Sequence, residues 1–273
     1  MKFRNGIGAV DMSKIVSRIL IVSFLVSFAV GALGVGDFAV AQPSTQKVFR
    51  PSGQEKALDT MSGEGLVFEK GKSDLLFRVR WSHSVLNGIP QQTTVVHADL
   101  SGQEASRERA NYENGSFSNY QVQNFQRGIE ANIKVENGKV LFYKKENGKV
   151  DTAEDVVSEN LVVGPTLFAY FQQHLSDLDA GKKLPIRMAV YDHTRVINFE
   201  AREIDKNCLG NGADLCIEMV VSNFFLKALV GKSTLTFKKM NGRIMAYDLT
   251  ALSLVRKNVG GKLESFVSRV EYR

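Results

Sequence analysis

Four histidines, one acidic run and two cysteines are the side chains here whose types could do chemistry, so their spacing decides what chemistry is available. His83 and His97 flank Asn87-Gly88, the strongest short-range hairpin dipeptide, because a type I′ turn needs positive φ at both central residues. A tight turn there sets residue 86 against 89, His83 against Gln92 and His97 against Arg78. The imidazoles then stand five residues apart along the ladder, roughly 16 Å at 3.3 Å per residue, too far to share a metal. His174 has Tyr170 four residues before it and Asp177 three after, and reads as a polar residue on the side of a helix. His193, in Tyr191-Asp192-His193-Thr194, falls at a hairpin turn, where Asp bonds the backbone. Glu154, Asp155 and Glu159 supply the paired carboxylates a glycosidase needs, but their setting reads as a solvated loop.

The chain has no G-x-S-x-G, H-E-x-x-H, G-x-G-x-x-G or P-loop. Pro165 removes an N–H that a phosphate cradle at Val163-Gly164-Pro165-Thr166 would use. The expectation is no catalytic residue, no metal and no cofactor. An envelope hydrolase using His174, His193 and the Glu154–Glu159 run is the weakest of the readings left open.

The elements that must position any site are strands. Asn-Gly recurs at 87–88, 114–115, 137–138, 147–148, 211–212 and 241–242, and KVENGKVLFYKKENGKV (134–150) carries two of these ten residues apart. That is the pitch of an antiparallel meander, so the doubled ENGKV is two consecutive turns and not a repeat. Between turns, Phe77, Val79, Trp81, His83 and Val85 alternate with Arg78, Arg80, Ser82 and Ser84, one face buried and one wet. About a dozen strands follow from this pattern. One interruption reads as a helix at about 165–180, with Pro165 at its start, Gly181 as its stop, and Phe168, Phe171, Leu175 and Leu178 on a single stripe. The predicted fold is all-β, a barrel or curved half-barrel covered by one amphipathic helix, with a two-sheet sandwich as the alternative. An outer-membrane barrel fits less well, because Arg107 to Tyr112 and Val140 to Lys145 are short and charged.

Compartment comes from the first forty residues. Lys14 and Arg18 precede the apolar run ILIVSFLVSFAVGA (19–32), and Ala39-Val40-Ala41 sets small residues before a cut at Gln42. The run is short of the roughly 20 residues of a membrane span. The segment reads as a signal peptide (1–41), so the chain is expected to be exported, periplasmic or secreted, with no transmembrane span after its removal. A polar linker or arm (42–64) and a single β domain (65–273) follow. Cys208 and Cys216, separated by LGNGADL with a Gly210-Asn211-Gly212 turn, suit a disulfide in an exported chain. Closing so small a ring would stabilise the fold by about 2–3 kcal/mol. Losing Lys2, Arg4, Lys14, Arg18, Asp11 and Asp37 takes 35 basic and 29 acidic residues to 31 and 27, a net +4. The lysine pairs at 144–145, 182–183 and 238–239 are scattered to turns and exposed strands, so no nucleic-acid footprint is expected.

Phe168, Phe171, Leu175, Leu178 and Trp81 are the candidate ligand-binding residues. A helix over a β-cup leaves room for an apolar or lipid-like ligand, since barrel mouths favour pockets. The alternative is a structural or scaffolding module for an envelope protein partner.

VVGPTLFAYFQQHLSDLDAGKKLPIRMAVYDHTRVINFEARE (162–203), with Phe224, Leu226, Leu229, Phe237, Gly242, Tyr247 and Tyr272, resembles an uncharacterised family of exported bacterial β-rich proteins, a domain of unknown function. The resemblance covers the second half, Val162 to Tyr272. It implies a design similar to the half-barrel carriers of lipids and lipoproteins, and it brings no catalytic residues.

Overall fold

In the computed structural model, residues 59–204, 214–223, 231–249 and 255–273 are described. The proposed signal segment, Cys208, and Phe224, Leu226 and Leu229 of the resemblance pattern lie outside them. The described residues build a 15-stranded, almost wholly antiparallel sheet.

Its first eight strands form one uninterrupted meander: β1 (Asp59–Glu69), β2 (Leu75–Leu86), β3 (Ile89–Ala98), β4 (Glu104–Glu113), β5 (Ser116–Asn124), β6 (Ile129–Glu136), β7 (Lys139–Glu146) and β8 (Lys149–Val156). Asn and Gly both take positive φ at 87–88, 114–115, 137–138 and 147–148, so four of the six Asn-Gly pairs are the tight turns the sequence marked. After β9 (Leu161–Val162) come α1 (Thr166–Gln173) and α2 (Leu175–Asp179), then a second meander: β10 (Leu184–Val190), β11 (Arg195–Glu203), β12 (Asp214–Val221), β13 (Lys232–Lys238) and β14 (Ile244–Leu249). A small hairpin, β15 (Lys257–Val259) and β16 (Lys262–Glu264), precedes β17 (Ser268–Tyr272). β17 lies between β1 and β14 and joins the two meanders.

The sheet is curved but not closed. Its edge strands β8 and β9 are consecutive in the chain, so four residues, 157–160, tie the two edges together at one corner. Arg187 of β10 spans the seam, its guanidinium 3.2 Å from Asp155 of β8 and its N–H donating to the Asn160 carbonyl. No ladder joins β8 to β9.

Three features depart from the sequence reading. β1 begins at Asp59, inside the stretch assigned to the polar arm. Its alternation was hidden because Gly63 and Gly65 occupy core-facing positions: a Cβ at Gly63 would stand 2.6 Å from Trp81 Nε1, and one at Gly65 2.8 Å from Val79. The acidic run before the helix is partly strand, with Glu154 and Asp155 on edge strand β8, where Glu154 pairs with Lys139. Charge suits an edge, since it discourages pairing with another chain. The helix at about 165–180 is two short helices broken at His174, and Gly181 stops the second at φ 77°.

The hairpin register also shifts. Leu86 faces Ile89 as expected, but Pro90 has no N–H to give the ladder, and a bulge follows that sets His83 against Thr93 and His97 against Val79. The imidazoles are thus four positions apart, still roughly 13 Å along the strand. His83 Nδ1 lies 2.8 Å from Thr93 Oγ1 and His97 Nδ1 3.2 Å from Ser106 Oγ.

Alternation places one buried cluster under β4 to β7 (Ala110, Val122, Ile133, Val140, Phe142) and another under β10 to β14 with α1 and α2 (Phe171, Leu178, Ile186, Ile217, Phe237). A charged knot ties the first to the second. Arg127, after β5, makes a two-pronged contact with Asp192 at 2.8 and 3.0 Å and reaches Glu146, while buried Lys144 contacts Glu146 at 3.1 Å. Lys144, assigned by the sequence reading to an exposed position, faces inward in phase with Val140 and Phe142.

Candidate functional site

Where the two core clusters meet, beneath the start of α1, there is a cavity of about 110 Å³. Its walls are mostly apolar, including Val67, Val95, Leu167, Met188, Val190 and Val270. Into them project a carboxyl, an imidazole and four phenols: Glu108, His97, Tyr120, Tyr191, Tyr247 and Tyr272.

Register explains the gathering. On β4 the phase that buries Ala110 also turns Ser106 and Glu108 inward, while Arg107 and Arg109 point out. Ala110 faces Tyr120 and Glu108 faces Val122, so Glu108 and Tyr120 are diagonal neighbours, close enough for long side chains to touch. The Tyr120 hydroxyl donates a short hydrogen bond to Glu108 Oε2. Tyr247 of β14 and Tyr272 of β17 close the opposite wall, their rings 6.0 Å apart. Phe168 of α1 covers both, 5.2 Å from Tyr247 and 6.5 Å from Tyr272. Gly164, just before the helix, presses against the polar pair.

Burial sets the electrostatics. Glu108 is 4% exposed, and desolvation, only partly offset by the Tyr120 hydrogen bond, pushes its carboxyl up to about 7. Desolvation lowers His97 to about 4, so it is neutral at ordinary pH. Tyr120 and Tyr247 are held well above the usual phenol value, and Tyr191 and Tyr272 are raised, in each case by burial first. A buried acid whose proton is poised near neutrality, inside a cavity, is a candidate functional site.

Of the residues proposed from sequence, Phe168 lines the cavity. Phe171 and Leu178 are fully buried in the core, with Phe171 5.9 Å from Phe237. Leu175 packs at Gly242, and Trp81 against Gly63. His174 contacts Tyr170, ring centroids 4.7 Å apart, and Asp177 at 3.4 Å, as its helical spacing implied. His193 sits in a single 3-10 turn beside Asp192, which Arg127 holds. Among the described residues no group of three or more His, Cys, Asp or Glu could hold a metal ion. Cys216 is buried on β12, and its expected partner Cys208 lies outside the described residues.

Gly164 offers a direct test of how tightly the pair is seated. A Cβ there would stand 2.4 Å from Glu108 Oε2 and 2.8 Å from the Tyr120 hydroxyl. Gly164→Ala is expected to cost about 1–3 kcal/mol, as overpacking does, read as a lowered urea midpoint at unchanged slope. An Ala variant as stable as the parent would mean the pair is loosely held.

The described residues form an open, curved antiparallel sheet with a small, mostly apolar cavity into which a few polar groups project. No family model and no curated protein matches the chain. Among solved structures it is similar to a beta-barrel-like protein of the domain of unknown function DUF1849 from Brucella abortus. There the identity is 9%, over 78% of this chain and 94% of that one, with a TM-score of 0.48. A porin-like protein from Bacteroides uniformis is similar at 10% identity, over 78% of this chain and 96% of that one, with a TM-score of 0.21. Among the described residues no helix is long and apolar enough to cross a membrane.

Proposed function

We propose that this chain is an exported, non-catalytic binding protein of the bacterial envelope that takes one amphiphilic ligand into the cavity beneath α1, with Cys208 and Cys216 joined in a disulfide. The observation that carries the reading is the cavity itself: apolar walls converging on a carboxyl and four phenols, the pattern of a pocket that fixes orientation with a few polar groups. Export rests on the basic, apolar and small-residue segments of residues 1–41.

Size restricts the ligand. The cavity, at about 110 Å³, has room for a small head group and not for a long chain. A whole lipid does not fit; a short amphiphile does, or one end of a longer molecule.

Native mass spectrometry of protein purified from the envelope of its own cells is the test. A retained small molecule is expected, and adding it back at a hundred times its Kd should stabilise the stripped protein by about 2.7 kcal/mol. Protein that arrives ligand-free, and whose melting no short amphiphile shifts, would sink the reading.

A further inference from the structure

The class of ligand follows from what the cavity lacks, and this step rests on the cavity being a binding site. We infer that the group it receives is a small organic cation, a substituted or quaternary ammonium, with Glu108 as counter-ion and Phe168, Tyr120, Tyr191, Tyr247 and Tyr272 as aromatic walls.

Two observations converge on a cation. Glu108 is buried, and Tyr120 supplies the only hydrogen bond to its carboxyl among the described residues. Among those residues no lysine or arginine lines the cavity, so the acid has no protein counter-charge there. Buried carboxylates are ordinarily paired, and a cavity beside one gives a partner from outside a place to bind. Next, five of the lining side chains are aromatic. Aromatic faces attract cations, and cages of them are the recurrent solution for quaternary ammonium groups.

An anion is disfavoured by Glu108. A neutral polar head would use the phenol hydroxyls but would leave the acid uncompensated once ionised.

The titratable groups facing Glu108 are His97 from β3, Tyr120 from β5, Tyr191 from the turn after β10, Tyr247 from β14 and Tyr272 from β17; α1 contributes none. All five are neutral near pH 7. Seating a cation therefore requires only that Glu108 lose its proton to solvent. Affinity should rise tenfold per pH unit up to about 7, where Glu108 titrates, and then level off.

The test compares choline with its neutral carbon isostere, 3,3-dimethylbutan-1-ol, by calorimetric titration of the whole folded chain. Choline is expected to bind at least tenfold more tightly at pH 8, and Glu108→Gln to abolish that preference. Should that variant not fold, the parent's own pH profile decides: choline affinity must climb between pH 5 and 7 while the isostere's stays flat. Equal binding of the two, or a flat choline profile, overturns the cation and leaves the cavity reading standing. Binding of neither overturns both.

Discussion

Replacing Glu108 by Gln is expected to make the protein lose about 3 kcal/mol more stability than the parent as the pH falls from 8 to 4. Two buried groups in one cavity titrate with opposite sign. Glu108 rises from its ordinary 4.5 to about 7 in the folded state. Between those values the folded chain keeps a proton the unfolded chain has lost. Its contribution is therefore fully present below pH 4.5 and is lost as the pH rises through 7. His97 falls from 6.5 to about 4, so there the unfolded chain holds the extra proton. That contribution is fully present above pH 6.5 and is lost as the pH falls through 4. At 1.36 kcal/mol per pH unit, each interval of 2.5 units is worth about 3 kcal/mol.

In the parent the two oppose each other across pH 4.5–6.5, and their combined slope is small. Glu108→Gln leaves His97 uncompensated and exposes acid lability. His97→Gln does the reverse, gaining about 3 kcal/mol relative to the parent as the pH is lowered from 8 to 4. The readout is the difference between urea-derived stability curves measured at pH 4 to 8, so that contributions common to all three proteins cancel. Parallel curves for parent and Glu108→Gln would show that the acid is not buried as described.

The strands were legible because their signal is local. Asn-Gly at φ near +51° and +75° is a property of two residues, and it punctuates the first meander whatever the rest of the chain does. The curvature was legible in outline, since so many strands must bury their edges somewhere. The cavity was harder to read. Glu108 lies between Arg107 and Arg109, and a strand reading RER suggests a charged surface until its phase is fixed by Ala110 and Tyr112. Lys144 is disguised in the same way within FYKKE. In both cases alternation already placed the charge on the inner face, and the signal to follow was phase rather than residue type.

Tyr247 and Tyr272 could not be linked to Glu108 from sequence at all. They meet it only because β17 inserts between β1 and β14, a pairing across some two hundred residues that no local pattern encodes. β1 was missed for a different reason: its core-facing positions include glycines, which carry no hydrophobic signal yet make room for Trp81 and Tyr272.

The two phenylalanines of α1 stand one turn apart and are expected to separate stability from binding. Phe171 is fully buried, with its ring edge-on to Phe237 and to Tyr170. Phe171→Ala removes that burial and leaves a void, a change that costs about 3–5 kcal/mol. Because Phe171 does not line the cavity, whatever folded protein remains should bind as the parent does. Phe168 is only half buried and lies over Tyr247 and Tyr272. Phe168→Ala forfeits two ring contacts worth about 0.5–1.5 kcal/mol each and uncovers the cavity, so its stability loss should be about half as large. Its ligand occupancy, by native mass spectrometry, should fall at least tenfold. Urea midpoints and occupancy measured on both variants decide the matter. If Phe168→Ala retains full occupancy, or if Phe171→Ala loses occupancy while still folded, then α1 is not divided between core and lid, and the cavity beneath it is a packing defect rather than a site.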